Sequence, residues 1–125
     1  MTDPAKRPIS RMRSSLEFAR VKRECTAFRG RFCVLLALAA PGEQSQIGFI
    51  ASKRSVGNAV QRNRARRRLR EIVRLRWTRV PEDGYRLVLI ASRSALTAEH
   101  QDLAAEVEHL LAAAGALAPV ELPGA

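Results

Sequence analysis

Apolar residues recur at helical spacing in three stretches of the chain, and each stretch predicts a helix. The first stretch, "SLEFARVKREC", follows Ser14, a residue type that is favoured at helix N-caps. Leu16, Phe18 and Val21 form its partial apolar face. The first predicted helix is therefore short and amphipathic.

The second and third predicted helices carry fuller apolar faces. The second begins after Asn58, a plausible N-cap, and ends near residues 77–79. Its inner face consists of Ala65, Leu69, Ile72 and Val73. The third helix is predicted to begin with Thr97 as its cap and to end at Gly115. Its buried stripe consists of Leu103, Val107, Leu110, Leu111 and Ala114.

Nearly continuous apolar runs between these helices predict β-strands. "RFCVLLALAA" and "IGFIAS" are separated by "PGEQSQ", a stretch typical of a turn or loop, so these two strands are predicted to form a hairpin. "YRLVLIAS" is rich in branched residues and follows the second helix. A strand, a helix and a strand at this spacing indicate a βαβ crossover.

These elements, in the order α-β-β-α-β-α, predict an α+β fold built as a two-layer α/β sandwich. The single domain is expected to cover residues 14–115. Residues 1–13, with several basic side chains and two prolines, are expected to form a flexible basic arm. Residues 116–125 are expected to be a disordered tail.

The charge of the chain is concentrated around the second predicted helix. The net charge is +10, and the stretch from Lys53 to Arg79 holds eleven basic residues and one acid, Glu71. Arginines at helical spacing without interleaved glutamates repel one another, which costs the isolated protein a little stability. Polyanion binding accounts for such a surface, because arginine pairs with phosphate oxygens in two places and stacks on bases.

A membrane surface and a DNA groove are also possible partners of a basic helix, but both are less consistent with the sequence. A helix lying on an anionic membrane needs an apolar face that is free to insert, whereas here that face is needed for the core. A helix that reads a DNA groove within a helix-turn-helix motif is disfavoured by the strands on both sides. We therefore expect a phosphate-rich polyanion as partner, and neither a membrane nor DNA that is read by a helix-turn-helix.

The stretch "KRSVGNAVQRNRARRRLRE" resembles the signature of the bacterial ribonuclease P protein family. Its elements are a basic pair, a glycine linker, Ala-Val, Arg62-Asn63-Arg64 and a basic run that ends in Leu-Arg-Glu. The resemblance extends to Glu17-Phe18 in the first helix, to "IGFIASK" and to "DGYRLVLIASRSA". It covers most of the chain apart from the two termini.

The resemblance implies a protein subunit of ribonuclease P, which removes 5′ leaders from precursor tRNA. The RNA subunit, with bound Mg²⁺, would be the catalyst, and the protein would supply no catalytic side chain and bind no metal by itself. Its partners would be ribonuclease P RNA and precursor tRNA. The resemblance also implies a left-handed βαβ crossover. A structural or ribosomal RNA-binding protein without a processing role is the alternative.

The resemblance and the charge pattern together give two candidate sites. The RNA-binding residues are Lys53, Arg54, Arg62, Asn63, Arg64, Arg66, Arg67, Arg68, Arg70 and Arg74. The leader cleft, which the resemblance places between the first helix and the sheet, is lined by Phe18, Lys22, Val34, Leu36 and Arg93. Lys22 and Leu36 stand where many family members have aromatic residues, so we expect this cleft to bind the leader more by charge than by stacking.

The remaining reactive side chains predict no further site. Cys25 and Cys33 form no C-x-x-C pair, which favours a reduced, cytoplasmic setting. The first ten residues lack the apolar core of a signal peptide. His100 and His109 are nine residues apart on the last predicted helix and face different directions, so no metal site is expected there.

Overall fold

The computed structural model describes residues 7–118, which form a four-stranded sheet and three α-helices. The elements in chain order are α1 (Ser15–Glu24), β1 (Thr26–Arg29), β2 (Cys33–Gln44), β3 (Gln46–Ile50), α2 (Ala59–Arg74), β4 (Asp83–Ala91) and α3 (His100–Ala113). The α+β class is confirmed, and the chain contains one strand, β1, that the sequence pattern did not predict. "TAFR" is short and mostly exposed, so it lacks the apolar run by which the other strands are recognised.

The sheet has the order β1-β2-β4-β3. β4 pairs antiparallel with β2 and parallel with β3, while β2 forms its hairpin with β1. The predicted hairpin of β2 and β3 is therefore wrong. β4 lies between these two strands because its continuous apolar run is suited to a central position that is covered on both faces.

The connection between β2 and β3 also differs from the predicted loop. β2 extends to Gln44, and its pairing with β4 shifts register between Ala40 and Gln44. Gly42 lies in this irregular stretch with a φ of 82°, a conformation that glycine adopts at little cost. Residues 41–44 thus form an irregular end of β2, and the chain then enters β3 almost directly.

β3, α2 and β4 form the predicted βαβ unit, because β3 and β4 are parallel neighbours with α2 between them in sequence. Asn58 caps α2 by accepting a hydrogen bond from the backbone N–H of Gln61, whose side chain in turn accepts from the backbone N–H of Asn58. The left-handed sense of the crossover stays an expectation of the family resemblance.

The main core lies between one face of the sheet and the helices α2 and α3. The predicted inner face of α2 is completely buried at Ala65, Leu69, Ile72 and Val73. The predicted stripe of α3 is buried as well, except that Ala114 is only partly covered. Trp77 and Cys33 also belong to this core, and burial raises the pKa of the Cys33 thiol. α2 and α3 packed on this sheet face form the predicted two-layer sandwich, and α1 lies on the opposite face.

A smaller second core lies on the opposite face of the sheet, under α1. Val21 is fully buried there, next to Leu36 and Val88. Leu16, which was predicted to join the apolar face of α1, is 81% exposed. At about 100° per residue, Leu16 projects about 140° away from Val21, so it cannot reach the sheet. The apolar face of α1 is thus narrower than predicted.

The ends of α3 show one confirmed prediction and one error. Gly115 follows the helix with a φ of 77°, and the backbone N–H groups of Gly115 and Ala116 donate to carbonyls of the last turn. Thr97 does not cap the helix. It follows a short 3₁₀ turn, and the cap position belongs to Glu99.

The chain segments that flank the predicted domain are packed where the structure describes them. Residues 10–12 run alongside β3: the backbone of Ile47 donates to Ser10 and accepts from Met12, which is buried. Arg7 donates two hydrogen bonds to the carbonyls of Trp77 and Val80. Residues 7–12 thus contact the domain, the flexibility of the basic arm stays a prediction, and residues 1–6 lie outside the described chain.

The beginning of the predicted disordered tail is packed too. Ala116 and Leu117 are buried, and the backbone N–H of Ala118 donates to Arg79. Residues 116–118 thus contact the domain, and the disorder of the tail stays a prediction. Residues 119–125 lie outside the described chain.

Candidate RNA-binding surface and groove

The cationic side chains of residues 7–118 fall into two groups according to their partners. In the first group, each side chain binds a carboxylate or a backbone carbonyl. This group consists of Arg7, Arg20, Arg23, Arg68, Arg74, Arg76, Arg79 and Arg86. These arginines already use their charge within the protein.

The second group has neither a carboxylate nor a carbonyl partner among residues 7–118. It consists of Arg11, Arg13, Lys22, Arg29, Arg31, Lys53, Arg54, Arg62, Arg64, Arg66, Arg67, Arg70 and Arg93. Within the protein, Arg66 donates only to the side-chain oxygen of Asn63, and Arg31 lies over the Phe32 ring at 5.4 Å. Side chains of this group are the ones that remain available to an anionic partner.

α2 presents the densest part of the second group. Its buried stripe points to the core, whereas Asn63, Arg64 and Arg67 are exposed and Arg62, Arg66 and Arg70 are partly exposed beside that stripe. We call this face the arginine surface. It consists of Arg62, Asn63, Arg64, Arg66, Arg67 and Arg70. No residue of the surface forms an ion pair with a carboxylate of the described chain, so phosphate can approach these arginines without breaking an ion pair.

Two of the predicted RNA-binding residues belong to the first group instead. Arg68 donates hydrogen bonds of 2.6 Å to each of the carbonyls of Ala95 and Ala98, and so ties α2 to the segment before α3. Arg74 forms a two-pronged pair with Glu71, and this hydrogen-bonded pair lowers the pKa of Glu71. Both side chains therefore have a structural role within the fold, and their RNA-binding role stays a prediction. Lys53 and Arg54 are exposed in the turn between β3 and α2, as a binding role requires.

Arg76 and Arg79 also act within the fold. Both donate to the same Glu108 oxygen, Arg76 at 2.6 Å and Arg79 at 3.2 Å. The hydrogen bond from Arg76 holds the pKa of Glu108 below its usual range, and Arg79 adds to this effect. These arginines therefore link the end of α2 to α3.

A groove runs between α1 and the sheet, and we call it the α1 groove. It has a volume of about 380 Å³ and is lined by Ser15, Phe18, Ala19, Lys22 and Ile50. The Phe18 ring rests on the backbone of Gly48, because a Cβ atom there would stand 2.5 Å from Phe18 Cε1. Lys22 is exposed at the rim. The structure thus brings together two of the predicted cleft residues, Phe18 and Lys22.

The other predicted cleft residues have different surroundings. Val34 is half-buried, and its pairing with Ile90 places it on the same sheet face as α1, in the row of Ile90 and Ile50. Leu36 is only 9% exposed because it lies under α1 in the second core, so it has little surface for a ligand. Arg93 is exposed just beyond the end of β4. The floor of the groove is therefore aliphatic.

The opposite flank of α1 is closed by an ionic network. Arg20 forms a two-pronged pair with Glu43 at 2.8 Å, which lowers the pKa of the Glu43 carboxyl. Arg86 donates to Glu17 at 3.0 Å and to Gln46 at 2.7 Å. α1 is thus asymmetric. One flank borders an open groove with a lysine, and the other is tied to the sheet by paired charges.

The donor atoms around both surfaces do not fit a protein-bound metal ion. In the stretch from residue 7 to residue 118, no three His, Cys, Asp or Glu side chains come close enough together to hold one. The carboxylates nearest to the groove and the arginine surface, Glu17, Glu43 and Glu71, already bind arginines.

None of the helices in the described part of the chain is both long enough and apolar enough to cross a lipid bilayer.

The sequence matches known proteins over most of its length. The model of the family described as Ribonuclease P matches residues 7–115. The ribonuclease P protein component of Symbiobacterium thermophilum is 42% identical over 108 residues, which cover 86% of this chain and 92% of the relative. That of Acidothermus cellulolyticus is 40% identical over 105 residues, covering 81% and 84%. The two alignments therefore span most of this chain and most of each relative.

Solved structures share the fold. The RNase P protein of Staphylococcus aureus has a TM-score of 0.74 at 22% identity, covering 86% of this chain and 96% of that one. The RNase P protein of Thermotoga maritima has a TM-score of 0.70 at 22% identity, covering 82% and 94%. The chain therefore belongs to the ribonuclease P protein family: it is the protein subunit of this tRNA-processing endoribonuclease and partners ribonuclease P RNA.

Proposed function

We propose that the arginine surface docks ribonuclease P RNA and that the α1 groove holds the single-stranded 5′ leader of precursor tRNA. Hydrolysis itself would be carried out by the RNA subunit, which would hold the Mg²⁺ ions. The proposal rests on the division of the cationic side chains into those that bind partners within the protein and those that do not. Arg68 and Arg76 bind partners that link α2 to the segment before α3 and to α3, whereas the arginines of the arginine surface have no ion pair in residues 7–118.

The charge of the arginine surface supports a polyphosphate partner. Each phosphate that a lysine or arginine neutralises releases counterions, so binding gains free energy at low salt. Family membership makes ribonuclease P RNA that partner. Lys53 and Arg54 lie in the connection between β3, whose Ile50 lines the α1 groove, and α2, whose first turns carry Arg62 and Asn63. This cationic connection therefore links the two proposed binding sites along the chain.

The α1 groove suits a single strand of RNA better than a duplex. It is bordered by one helix and lined by the aliphatic Ile50 and the ring of Phe18, with a cation, Lys22, at the rim. We propose that Lys22 contacts a leader phosphate. The Phe18 ring packs on Gly48, so its far side is the one that a base could contact.

Reconstitution tests the proposal directly. The full chain is combined with a bacterial ribonuclease P RNA at low Mg²⁺ and supplied with precursor tRNA. We expect the chain to lower the Mg²⁺ concentration needed for cleavage and to tighten substrate binding more for long leaders than for short ones. A chain that binds the RNA without either effect would instead be an RNA-binding protein with no processing role.

A further inference from the structure

We infer that Arg29, on the edge strand β1, binds a phosphate of the precursor tRNA leader at the far end of the α1 groove. This inference rests on the proposed function of that groove. Sequence patterns assign nothing to Arg29, because β1 itself was not predicted. Its role emerges from the strand register.

The register places the Arg29 side chain on the groove side of the sheet. Arg29 pairs directly with Val34 on β2, and directly opposed residues of antiparallel strands project from the same face. The neighbouring Phe28 pairs with Leu35 and packs against the main core on the other face. Arg29 therefore shares its face with α1, and it is exposed.

Arg29 completes a row that crosses the whole sheet. Val34 pairs with Ile90 on β4, and Ile90 pairs with Ile50 on β3, which lines the α1 groove. Val34, Ile90 and Ile50 are all half-buried, so the row is not fully covered by α1. Three strand spacings of about 4.8 Å place Arg29 roughly 14 Å from the β3 end of the row. An RNA strand that lies along the row from β3 would therefore pass Ile50, Ile90 and Val34 before it reaches Arg29.

The charges on the two flanks of α1 favour a phosphate backbone that lies along this row. Relative to the buried Val21, Phe18 and Lys22 project to the groove side, at angles of about 60° and 100°. Glu17 and Arg20 project to the other side, where they join the ionic network with Glu43. On that side the cations Arg20 and Arg86 are already paired with Glu17 and Glu43. On the groove side a polyanion meets Lys22 and Arg29, which have no ion-pair partner in residues 7–118.

The surroundings of the two sheet edges indicate which end of the row lies farther from the docked RNA. The β3 edge is occupied by residues 10–12 and lies next to Lys53 and Arg54, which lead into α2 and the arginine surface. No described residue pairs with the outer edge of β1. A leader that starts beside the docked RNA at β3 would therefore reach Arg29 last, and only a long leader would reach it.

The test uses the reconstituted holoenzyme and a series of precursor tRNAs that differ only in leader length. For Arg29→Ala we expect unchanged dissociation constants with the shortest leaders and with mature tRNA. With long leaders we expect affinity to fall about two- to fivefold, the range for an exposed charge pair. The salt slope of long-leader affinity should fall by about 0.7, the value for one contact on a single strand. Arg29→Lys should retain most of the affinity.

Arg23→Ala is the matched control. It removes the same charge from an exposed side chain, but Arg23 pairs with Glu24 and projects from α1 opposite to the buried Val21. It should leave affinity unchanged at every leader length. Thermal unfolding of all variants checks that β1 stays folded.

The outcomes separate this inference from the proposed function. If Arg29→Ala behaves like wild type with long leaders, or weakens all substrates equally, including mature tRNA, then Arg29 does not bind the leader. If Lys22→Ala shows a dependence on leader length and Arg29→Ala does not, the inference fails while the groove assignment stands. If the wild-type chain itself shows no dependence on leader length, both are overturned.

Discussion

The Phe18 ring rests on the backbone of Gly48, and no side chain can stand between them. A Cβ atom at position 48 would lie 2.5 Å from Phe18 Cε1 and closer still to Cζ. Gly48 has no left-handed backbone, so its requirement for glycine is set by this close approach alone. The pair fixes α1 against β3, and through it the width of the α1 groove.

We expect Gly48→Ala to destabilise the protein by about 1–3 kcal/mol, the usual cost of overpacking. Phe18→Ala removes the clash, so Gly48→Ala should cost much less in that background. Urea unfolding of the four proteins of this double-mutant cycle gives the coupling free energy. An equal cost of Gly48→Ala in both backgrounds would show that the ring does not rest on the glycine.

Arg67 and Arg68 are sequence neighbours with opposite expected roles. Arg68→Ala should lower the free energy of unfolding by about 1–3 kcal/mol, because the carbonyls of Ala95 and Ala98 lose a charged donor. Arg67→Ala should change stability by less than about 0.5 kcal/mol, since the side chain is exposed and has no partner in the described chain. Its affinity for ribonuclease P RNA should fall instead.

Chemical denaturation and RNA binding, measured on both variants, check this division. If Arg68→Ala were as stable as the wild type and bound RNA more weakly, Arg68 would belong to the arginine surface. A destabilised Arg67→Ala variant would show that our assignment of the outer face of α2 is wrong.

Glu106 on α3 anchors the β1–β2 turn. Its carboxylate accepts hydrogen bonds from the backbone N–H groups of Arg31, Phe32 and Cys33, at 2.5–3.0 Å. We expect Glu106→Ala to cost about 1–3 kcal/mol of stability, because it leaves these donors without their acceptor. Gln101→Ala, an exposed position on the same helix, is the control and should be nearly neutral. Equal stabilities of the two variants in urea unfolding would contradict the anchoring role.

Glu108 should make stability depend on pH in the acid range. Its folded pKa is lowered by the hydrogen bond from Arg76 and further by Arg79, so the carboxylate contributes stability above the ordinary glutamate pKa of about 4.3. That contribution is lost as pH falls from this value through the lower folded pKa. We expect it to be at most about 1 kcal/mol, because the pair is partly exposed.

The comparison of wild type with Glu108→Gln between pH 7 and pH 3 measures this contribution. The difference in unfolding free energy should be constant down to about pH 5 and then shrink. A difference that stays constant to pH 3 would mean that Glu108 keeps its ordinary pKa in the folded protein.

Local signals determine which parts of the fold could be predicted. The inner face of α2 and its Asn58 cap depend on spacings of three and four residues, and both were correct. The sheet order depends on β4, which enters between β2 and β3 from about forty residues downstream in the sequence. No local pattern encodes that insertion, so a hairpin of sequential strands was the natural but wrong expectation.

The same limit applies to the candidate site. The sequence identified the cationic helix, and the family resemblance indicated its RNA partner. Neither showed which arginines bind partners within the protein and which do not. Arg68 finds its acceptors 27 and 30 residues away, and Arg76 finds Glu108 32 residues away. Arg29 was missed because its face is defined only by pairing with β2. The tertiary structure is needed to show which partner each arginine has.

The salt dependence of binding to ribonuclease P RNA is the sharpest test of RNA docking by the arginine surface. Dissociation constants of the wild type and of the triple variant Arg64→Ala, Arg66→Ala, Arg67→Ala are measured over a range of salt concentrations. We expect the slope of the logarithmic plot to fall by about 2–3 in the triple variant, at about 0.7–0.9 per lost phosphate contact. Arg23→Ala should keep the wild-type slope. An unchanged slope in a folded triple variant would contradict the assignment of the arginine surface to RNA docking.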